Sequence, residues 1–530
     1  MKAEQEFKKE IVNFFLKKGI LLSKDFYNIV KDNFDRERFL DCVFDRLKEN
    51  QLLILDTDLL TLINENMTNE IDINCIELER FKALKEKGKI EKERKILFQQ
   101  FEKEKNIKKE EGRVNILFSY EDKFEKKGAQ DFISIFNRRY ETIKKMLLNR
   151  QELQHATSIS RIFSGGGRES CAFIGCVFDK AVTANNNYIL SLEDQSGEIK
   201  AIVSKNKPAA YELAKEITLD EVVGITGTLG NNAVFVNNIL IPDIPLHKEL
   251  KKSPDKAYAV FLSDLHIGSN KFLPEEFNKF LDWINGRTGT EAQKEIASKV
   301  KYIFIIGDLV DGVGVYPEQE AELEIKDIYE QYDECARLLK KIPPHIKIII
   351  CAGNHDALRI SEPQPKLDRD YAKTLWEMKN VILVSNPALV NIHSSENFSG
   401  FDILMYHGYS FDYYISSIDT IREKGGYDRP DLIMKYLLQR RHLAPTHTST
   451  LYVPDPERDP LVIEKIPDFF ATGHIHKSAV ANYHNITMIC GSCWQSRTTF
   501  QERVGHHPEP ARVPVVDLQT RNVKILRFDK

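Results

Sequence analysis

In the C-terminal half of this chain, five apolar runs each end in residue types that ligate divalent cations. They read FLSDLH (Asp264, His266), FIIGDLVD (Asp308, Asp311), ICAGNHD (Asn354, His355), LMYHG (His407) and FFATGHIH (His474, His476), and TMICGSCW follows. Apolar runs of this length read as buried strands. In an α/β sheet, strand ends feed a shared crevice. A chain built this way must therefore bring five strand ends, and their Asp, Asn and His side chains, to one place. Those residue types hold hard or borderline cations, and two such cations can drive hydrolysis of a phosphate ester.

Spacing supports the convergence. In Asp264-Leu265-His266 and His474-Ile475-His476 the two candidates stand two residues apart. On an extended backbone, residues i and i+2 point the same way, so both would reach one site. Gly307, Gly353, Gly408 and Gly473 flank the candidates, and glycine permits the tight turns that gather loops. One D-x-H or H-x-H is a weak sign, because a turn-capping Asp or a carbonyl-bonded His explains most isolated cases. Five segments in this order, each closing an apolar run, point to a dinuclear metal site.

Bulk properties set limits. The 530 residues suggest about three or four domains. With 42% hydrophobic and 29% charged residues, the composition is that of a soluble globular protein. A net charge of −4 gives no global basic signature, so any nucleic-acid contact must be local or shared with a partner. The 8 cysteines are scattered rather than arranged as a disulfide framework, which fits a reducing cytoplasm. The start, MKAEQEFKKEIVNFF, lacks a signal-peptide apolar core. No apolar stretch approaches the roughly 20 residues that span a bilayer, so no membrane association is expected.

Along the chain, residues 1–70 show apolar positions at helical spacing (Phe7, Ile11, Phe14; Phe26, Ile29, Val30) and predict a small helical domain. It would be a structural module or a docking module. Residues 71–130 alternate Lys and Glu and predict a charged linker or solvated helix. Residues 131–250 begin with the helical FISIFNRRYETIKKMLLNRQEL. They continue as about five short β-rich runs broken at Asn185-Asn186-Asn187, Ser196-Gly197 and Gly230-Asn231-Asn232. That pattern predicts a small barrel, and LEDQSGEIKAIV resembles the strand pair of OB-folds. Protein contact and DNA contact both remain open for this barrel, since its aromatics (Phe163, Phe173, Phe178, Tyr188) are sparse. Residues 251–530 alternate strand-like and helical runs, predicting a layered α/β domain.

The order D-x-H, G-D-x-x-D, G-N-H-D, H-G, G-H-x-H resembles the signature of the calcineurin-like metallophosphoesterases. That resemblance implies that Asp264, His266 and His476 bind one metal, that Asp308 bridges, and that Asn354, His407 and His474 bind the second. It leaves His355 to act on substrate, as general acid or transition-state stabiliser, with Asp311 and Asp356 in support and Asp356 orienting His355. Two divalent ions are implied, manganese first, with magnesium, iron or zinc also compatible.

Other segments narrow the choice. IIGDLVDGVGVYPEQE (305–320) and the run 431–477 are similar to the small subunits of archaeal family D DNA polymerase, which also place an OB-like barrel before the phosphoesterase domain. This implies a 3′–5′ exonuclease proofreading on single-stranded and primer-template DNA. The implied partners are a large catalytic subunit and, beyond it, a sliding clamp or other replication factors. The alternatives are an assembly subunit with a weak or silent nuclease, and a stand-alone metallophosphatase. Two side features stay ambiguous. Arg440-Arg441-His442 and Arg497 would contact DNA phosphates or face solvent, and Cys490-Gly491-Ser492-Cys493 reads as packing rather than a zinc site, having no second pair nearby.

Overall fold

A computed structural model describes residues 114–122, 126–164, 170–455, 457–503 and 506–529, together with 21–22 and 54–55. The chain divides into two compact units, Met1–Glu110 and Glu111–Lys530. In the first, β1 (Leu21–Leu22) pairs in parallel with β2 (Ile54–Leu55). Otherwise the helical domain expected over 1–70 lies outside the described residues.

The second unit opens with β3 (Val114–Ser119), inside the stretch expected to be charged linker. The linker expectation is corrected here. VNILFS is an apolar run, and it pairs antiparallel with a strand about 270 residues further on, Ala388–Ile392. No local pattern announces so distant a partner.

Helix Ala129–Leu147 follows, within the predicted helical run. Its Tyr140, Ile143 and Leu147 pack with Ile174 and Val222 of the next region. That region is a closed barrel of β4 (Ser170–Val182), β5 (Tyr188–Asp194), β6 (Gly197–Val203), β7 (Val222–Leu229) and β8 (Val234–Leu240). The strands lie in the order β4-β5-β6-β8-β7, and β4 pairs with β7 to close it. Alternation at period two sends Leu190, Leu192, Ile199, Ala201, Val223 and Ile225 inward, each nearly solvent-free.

Eleven further strands build two sheets: β9 (Tyr258–Leu262), β10 (Val300–Ile306), β11 (Lys347–Cys351), β12 (Val381–Leu383), β13 (Ala388–Ile392), β14 (Phe401–Met405), β15 (Phe469–Thr472), β16 (Ala479–Tyr483), β17 (Ile486–Cys490), β18 (Arg512–Asp517) and β19 (Val523–Arg527). One sheet runs β12-β11-β10-β9-β18-β19, the other β16-β17-β15-β14-β13-β3. Strands β9 to β12 are mutually parallel and joined by crossovers that include helices Pro274–Ile284 and Ile328–Leu339.

Pleating explains why these strands read as unbroken apolar runs: both faces are covered. Ala259, Phe261, Phe304 and Ile349 face the second sheet and meet Ile403, Phe469 and Ile489 there. Val260, Leu262, Ile303, Ile305 and Ile350 face outward onto Phe277, Phe280 and Tyr332 of the covering helices. On the far side, Tyr406, Phe470 and Met488 lie under helices Phe411–Ser417 and Pro430–Arg440. The result is four layers, helix, sheet, sheet, helix, which matches the layered α/β expectation.

Candidate active site

Each candidate sits within a few residues of a strand's C-terminal end. β9 stops at Leu262, β10 at Ile306, β11 at Cys351, β14 at Met405 and β15 at Thr472. The chain then turns sharply. Asp264 (φ 52°), His266 (φ 50°), Asp308 (φ 51°), His474 (φ 69°) and His476 (φ 57°) all adopt left-handed backbone. The expectation that the two i, i+2 pairs lie on extended backbone is therefore corrected: the strands end first, and the turns aim the side chains. Left-handed non-glycine residues cost about 1–3 kcal/mol each and cluster at functional sites. Close approach also constrains two glycines. A Cβ on Gly353 would lie 2.2 Å from Asp308 Oδ1, and one on Gly473 would lie 2.7 Å from Asp264 Oδ2.

The side chains gather into two adjoining groups. In one, Asp264, His266 and His476 converge: His266 Nε2 is 3.1 Å from His476 Nε2, which is 3.5 Å from Asp264 Oδ1. In the other, His407 Nε2 and His474 Nδ1 approach Asn354 Oδ1 at 2.9 and 3.0 Å. Asp308 stands between them, its Oδ2 3.2 Å from His407 Nε2 and 3.9 Å from His266 Nε2. All seven residues assigned as ligands by resemblance thus meet at one place.

Hydrogen bonds fix which ring atoms face inward. His407 Nδ1 donates to the Ile306 carbonyl at 2.9 Å, which turns Nε2 toward Asp308 and Asn354. His266 Nδ1 donates to Asp311 Oδ1 at 3.1 Å, turning Nε2 toward His476. Asp311 is held in turn by Gln495 (2.9 Å) and Gln319 (3.0 Å). His474 Nε2 donates to Asp412 Oδ2 at 2.8 Å, and Gln501 Nε2 meets His476 Nδ1 at 2.9 Å. Sequence reading missed Asp412, Gln495, Gln319 and Gln501. Asp412 lies only five residues past His407, but an exposed-helix carboxylate would look the same.

His355 lines the same cavity and donates from Nδ1 to the Asp311 carbonyl at 2.8 Å. Its backbone N–H donates to Asp308 Oδ1 at 2.8 Å. Asp356 does not orient it. The Asp356 carboxylate accepts instead from Gly353 N (2.8 Å) and Tyr332 Oη (3.1 Å), and faces Leu309 N at 3.3 Å, bracing the loops that carry Asp308 and Asn354. Burial, then the neighbouring Asp308 charge, pushes its carboxyl up to about 7.

These donors fit divalent cations. Ring nitrogens of His407, His266 and His476 and oxygens of Asn354 and Asp308 converge, and no Lys or Arg is among the described residues lining the cavity. The arrangement calls for positive charge. Burial works against protonating His407, yet Asp308 outweighs it and lifts the imidazole to about 10. Burial would likewise raise Asp308, but His407 and His355 hold it well below the usual carboxylate range. The cavity, about 350 Å³, is also lined by Tyr316, Tyr409 and Tyr427.

Two side features resolve. Arg440, Arg441 and His442 are buried rather than facing DNA or solvent. Arg440 Nε lies 3.3 Å from Glu221 Oε2, and Arg441 donates to the Ile463 and Glu464 carbonyls. Cys490 and Cys493 are buried free thiols, as the packing reading expected.

Residues 258–478 match the calcineurin-like phosphoesterase family. The chain is similar to the DNA polymerase II small subunit of Methanothermobacter thermautotrophicus, at 40% identity over 75% of this chain and 79% of that protein. The small subunit of Archaeoglobus fulgidus is 39% identical over 73% of this chain and 75% of its own length. That of Pyrococcus abyssi is 37% identical over 76% of this chain but only 63% of its own length. The chain belongs to the family of archaeal DNA polymerase II small subunits, the small subunits of family D DNA polymerase, and carries that family's calcineurin-like phosphoesterase domain.

Proposed function

We propose that this chain is the 3′–5′ exonuclease of an archaeal replicative DNA polymerase, proofreading single-stranded 3′ ends for a large catalytic subunit that carries synthesis. The observation that carries the reading is the seven-residue constellation at the strand ends, with His355 in the same cavity. A silent scaffold has no need to hold five non-glycine residues in left-handed backbone around an intact donor set.

Asp264, His266, Asp308 and His476 would hold one divalent cation, and Asp308, Asn354, His407 and His474 the other. Bound cations supply a nucleophile at neutral pH and offset charge on the phosphoryl oxygens. The protein's own part is to fix every donor in advance. Ile306, Asp311 and Asp412 each accept from the outer nitrogen of one imidazole, so that its inward nitrogen is set before substrate arrives. His355, anchored through Nδ1, turns its remaining nitrogen to the substrate; in its imidazolium form, favoured by the phosphodiester's negative charge, that nitrogen gives its proton to the leaving 3′ oxygen or stabilises charge there. His and carboxylate donors suit manganese, with magnesium, iron or zinc as substitutes.

The barrel fits an OB-fold: strand order β4-β5-β6-β8-β7, with helix Pro208–Glu216 between β6 and β7. With the phosphoesterase domain it would form the platform for the large subunit, primer-template DNA and clamp-type replication factors, in the cytoplasm. No described helix is long and apolar enough to cross a membrane.

The test is to incubate the purified chain, alone and with its large subunit, with 5′-labelled single-stranded DNA and manganese. Stepwise shortening from the 3′ end, abolished by EDTA, is expected. No nucleotide release in either form overturns the proposal.

A further inference from the structure

A second cavity adjoins the first. It measures about 630 Å³ and shares two lining residues with the cavity of the metal-ligand candidates, Tyr409 and Asp412. Its walls come from three separate stretches: Phe132 of the long helix, Tyr413 beside the shared residues, and the segment His447–Tyr452. Phe132, Tyr409, Tyr413 and His447 are half-buried, each offering part of a ring, and Leu451 is 57% exposed at the rim.

Its chemistry differs from that of a phosphate groove. No Lys or Arg is among the described lining residues, and the only carboxylate, Asp412, is engaged by His474 and Tyr427. What the walls offer is aromatic and aliphatic faces with the hydroxyls of Thr448, Ser449 and Thr450 between them. Nucleobases stack on such faces without regard to sequence, because every base has a π-face. Free phosphate gains little from a cavity with no Lys or Arg among its described lining residues. A single strand whose 3′ end lies in the first cavity must run on beyond it, and this cavity shares the walls Tyr409 and Asp412 with the first.

We propose that this second cavity receives the bases of the nucleotides preceding the 3′ terminus of the single-stranded substrate, stacked on Tyr413, Tyr409 and the Leu451 rim. The inference rests on the exonuclease reading. It adds that the bases are read by stacking, outside the metal-ligand candidates, and that duplex ends must melt to enter.

Steady-state hydrolysis is to be compared for a dinucleotide, a hexanucleotide and a hexanucleotide with abasic sites at the second to fourth positions from its 3′ end. The protein is used with its large subunit, as wild type, Tyr413→Ala, Tyr413→Trp and Leu451→Ala. The expected result is a KM for the intact hexamer about tenfold or more below that for the dimer. That advantage should be lost with the abasic hexamer and in Tyr413→Ala, and kept in Tyr413→Trp, with kcat on the dinucleotide unchanged. Equal KM values for intact and abasic hexamers, or an unaltered advantage in both Tyr413→Ala and Leu451→Ala, overturn the cavity assignment. Inertness toward every substrate, dinucleotide included, sinks the exonuclease reading itself.

Discussion

Two buried clusters, one joining helix Ala129–Leu147 to the phosphoesterase domain and one at that domain's strand ends, both set histidine against carboxylate and behave oppositely. Around Asp459, Arg139 Nε donates at 2.6 Å and His442 Nε2 at 3.0 Å, with Tyr452 Oη and Leu461 N completing the shell. Arg139 and Asp459 are only 3% and 1% exposed, so their charges cancel within the protein. Burial, reinforced by Arg139, pushes His442 down to about 4 and keeps it neutral. Around Asp308 there are carboxylates and imidazoles but no guanidinium, and the histidine that faces it is driven the other way, to about 10. The Asp459 carboxylate has a permanent guanidinium beside it and is structural; the Asp308 carboxylate is balanced by protons on histidines, which a divalent cation can displace. The same His–Asp pairing thus separates into architecture and site according to what balances the carboxylate's charge.

Breaking each cluster tests that distinction. Asp308→Ala should have the largest effect, removing most divalent-ion loading, as counted by metal analysis of the purified variant, together with hydrolysis; two ions per chain in that variant would refute its bridging position. His355→Ala should lower turnover by about two to four orders of magnitude while metal content stays near the wild-type level. Single-turnover rates and metal stoichiometry measured on one sample check both halves. Arg139→Met leaves Asp459 buried without its partner and should cost about 3–5 kcal/mol in chemical unfolding, with metal content of the folded fraction unaltered. Loss of metal instead would mean that the two clusters are not independent.

Manganese should stabilise the site cluster alone. At a free concentration a hundred times Kd it adds about 2.7 kcal/mol per site, visible as a rise in Tm in wild type and a much smaller one in Asp308→Ala. The last effect concerns pH. His442 has a folded pKa of about 4 against an ordinary value of 6.5. Between those values the unfolded chain binds the extra proton, so stability falls as pH drops from about 6.5 toward 4. His442→Gln should flatten that part of the stability–pH curve; an identical slope in the variant would show that other groups supply it.

Much of the site was legible because ligand residues and apolar runs share a local grammar. FFATGHIH announces both a buried strand and its chemically loaded end within eight residues. The barrel was legible from its turns, and the layered α/β domain from its alternation of strands and helices. What escaped depends on distance in sequence. Asp412 reaches His474 across 62 residues and Gln495 reaches Asp311 across 184. Each is an ordinary polar residue until the fold sets it against an imidazole. Arg440 and Arg441 misled for the matching reason: a basic pair looks exposed until Glu221 and two carbonyls are packed against it. Strand β3 hid beside a charged run because its partner lies far down the chain.

Sequence alone determined which atoms are available: seven donors of the right hardness, a histidine beside them, glycines at the crossings, and strands apolar enough to bury both faces. Those are properties of residue type and short-range order. Tertiary structure decided the rest. It set the left-handed turns that aim Asp264, His266, Asp308, His474 and His476, the partner that fixes each imidazole, and the use of Asp356 to brace two loops rather than to orient His355. It also opened the aromatic-walled cavity beside the site. Charge balance and side-chain direction are sums over neighbours that only folding brings together, and here those sums turn a set of ligand residues into a candidate active site.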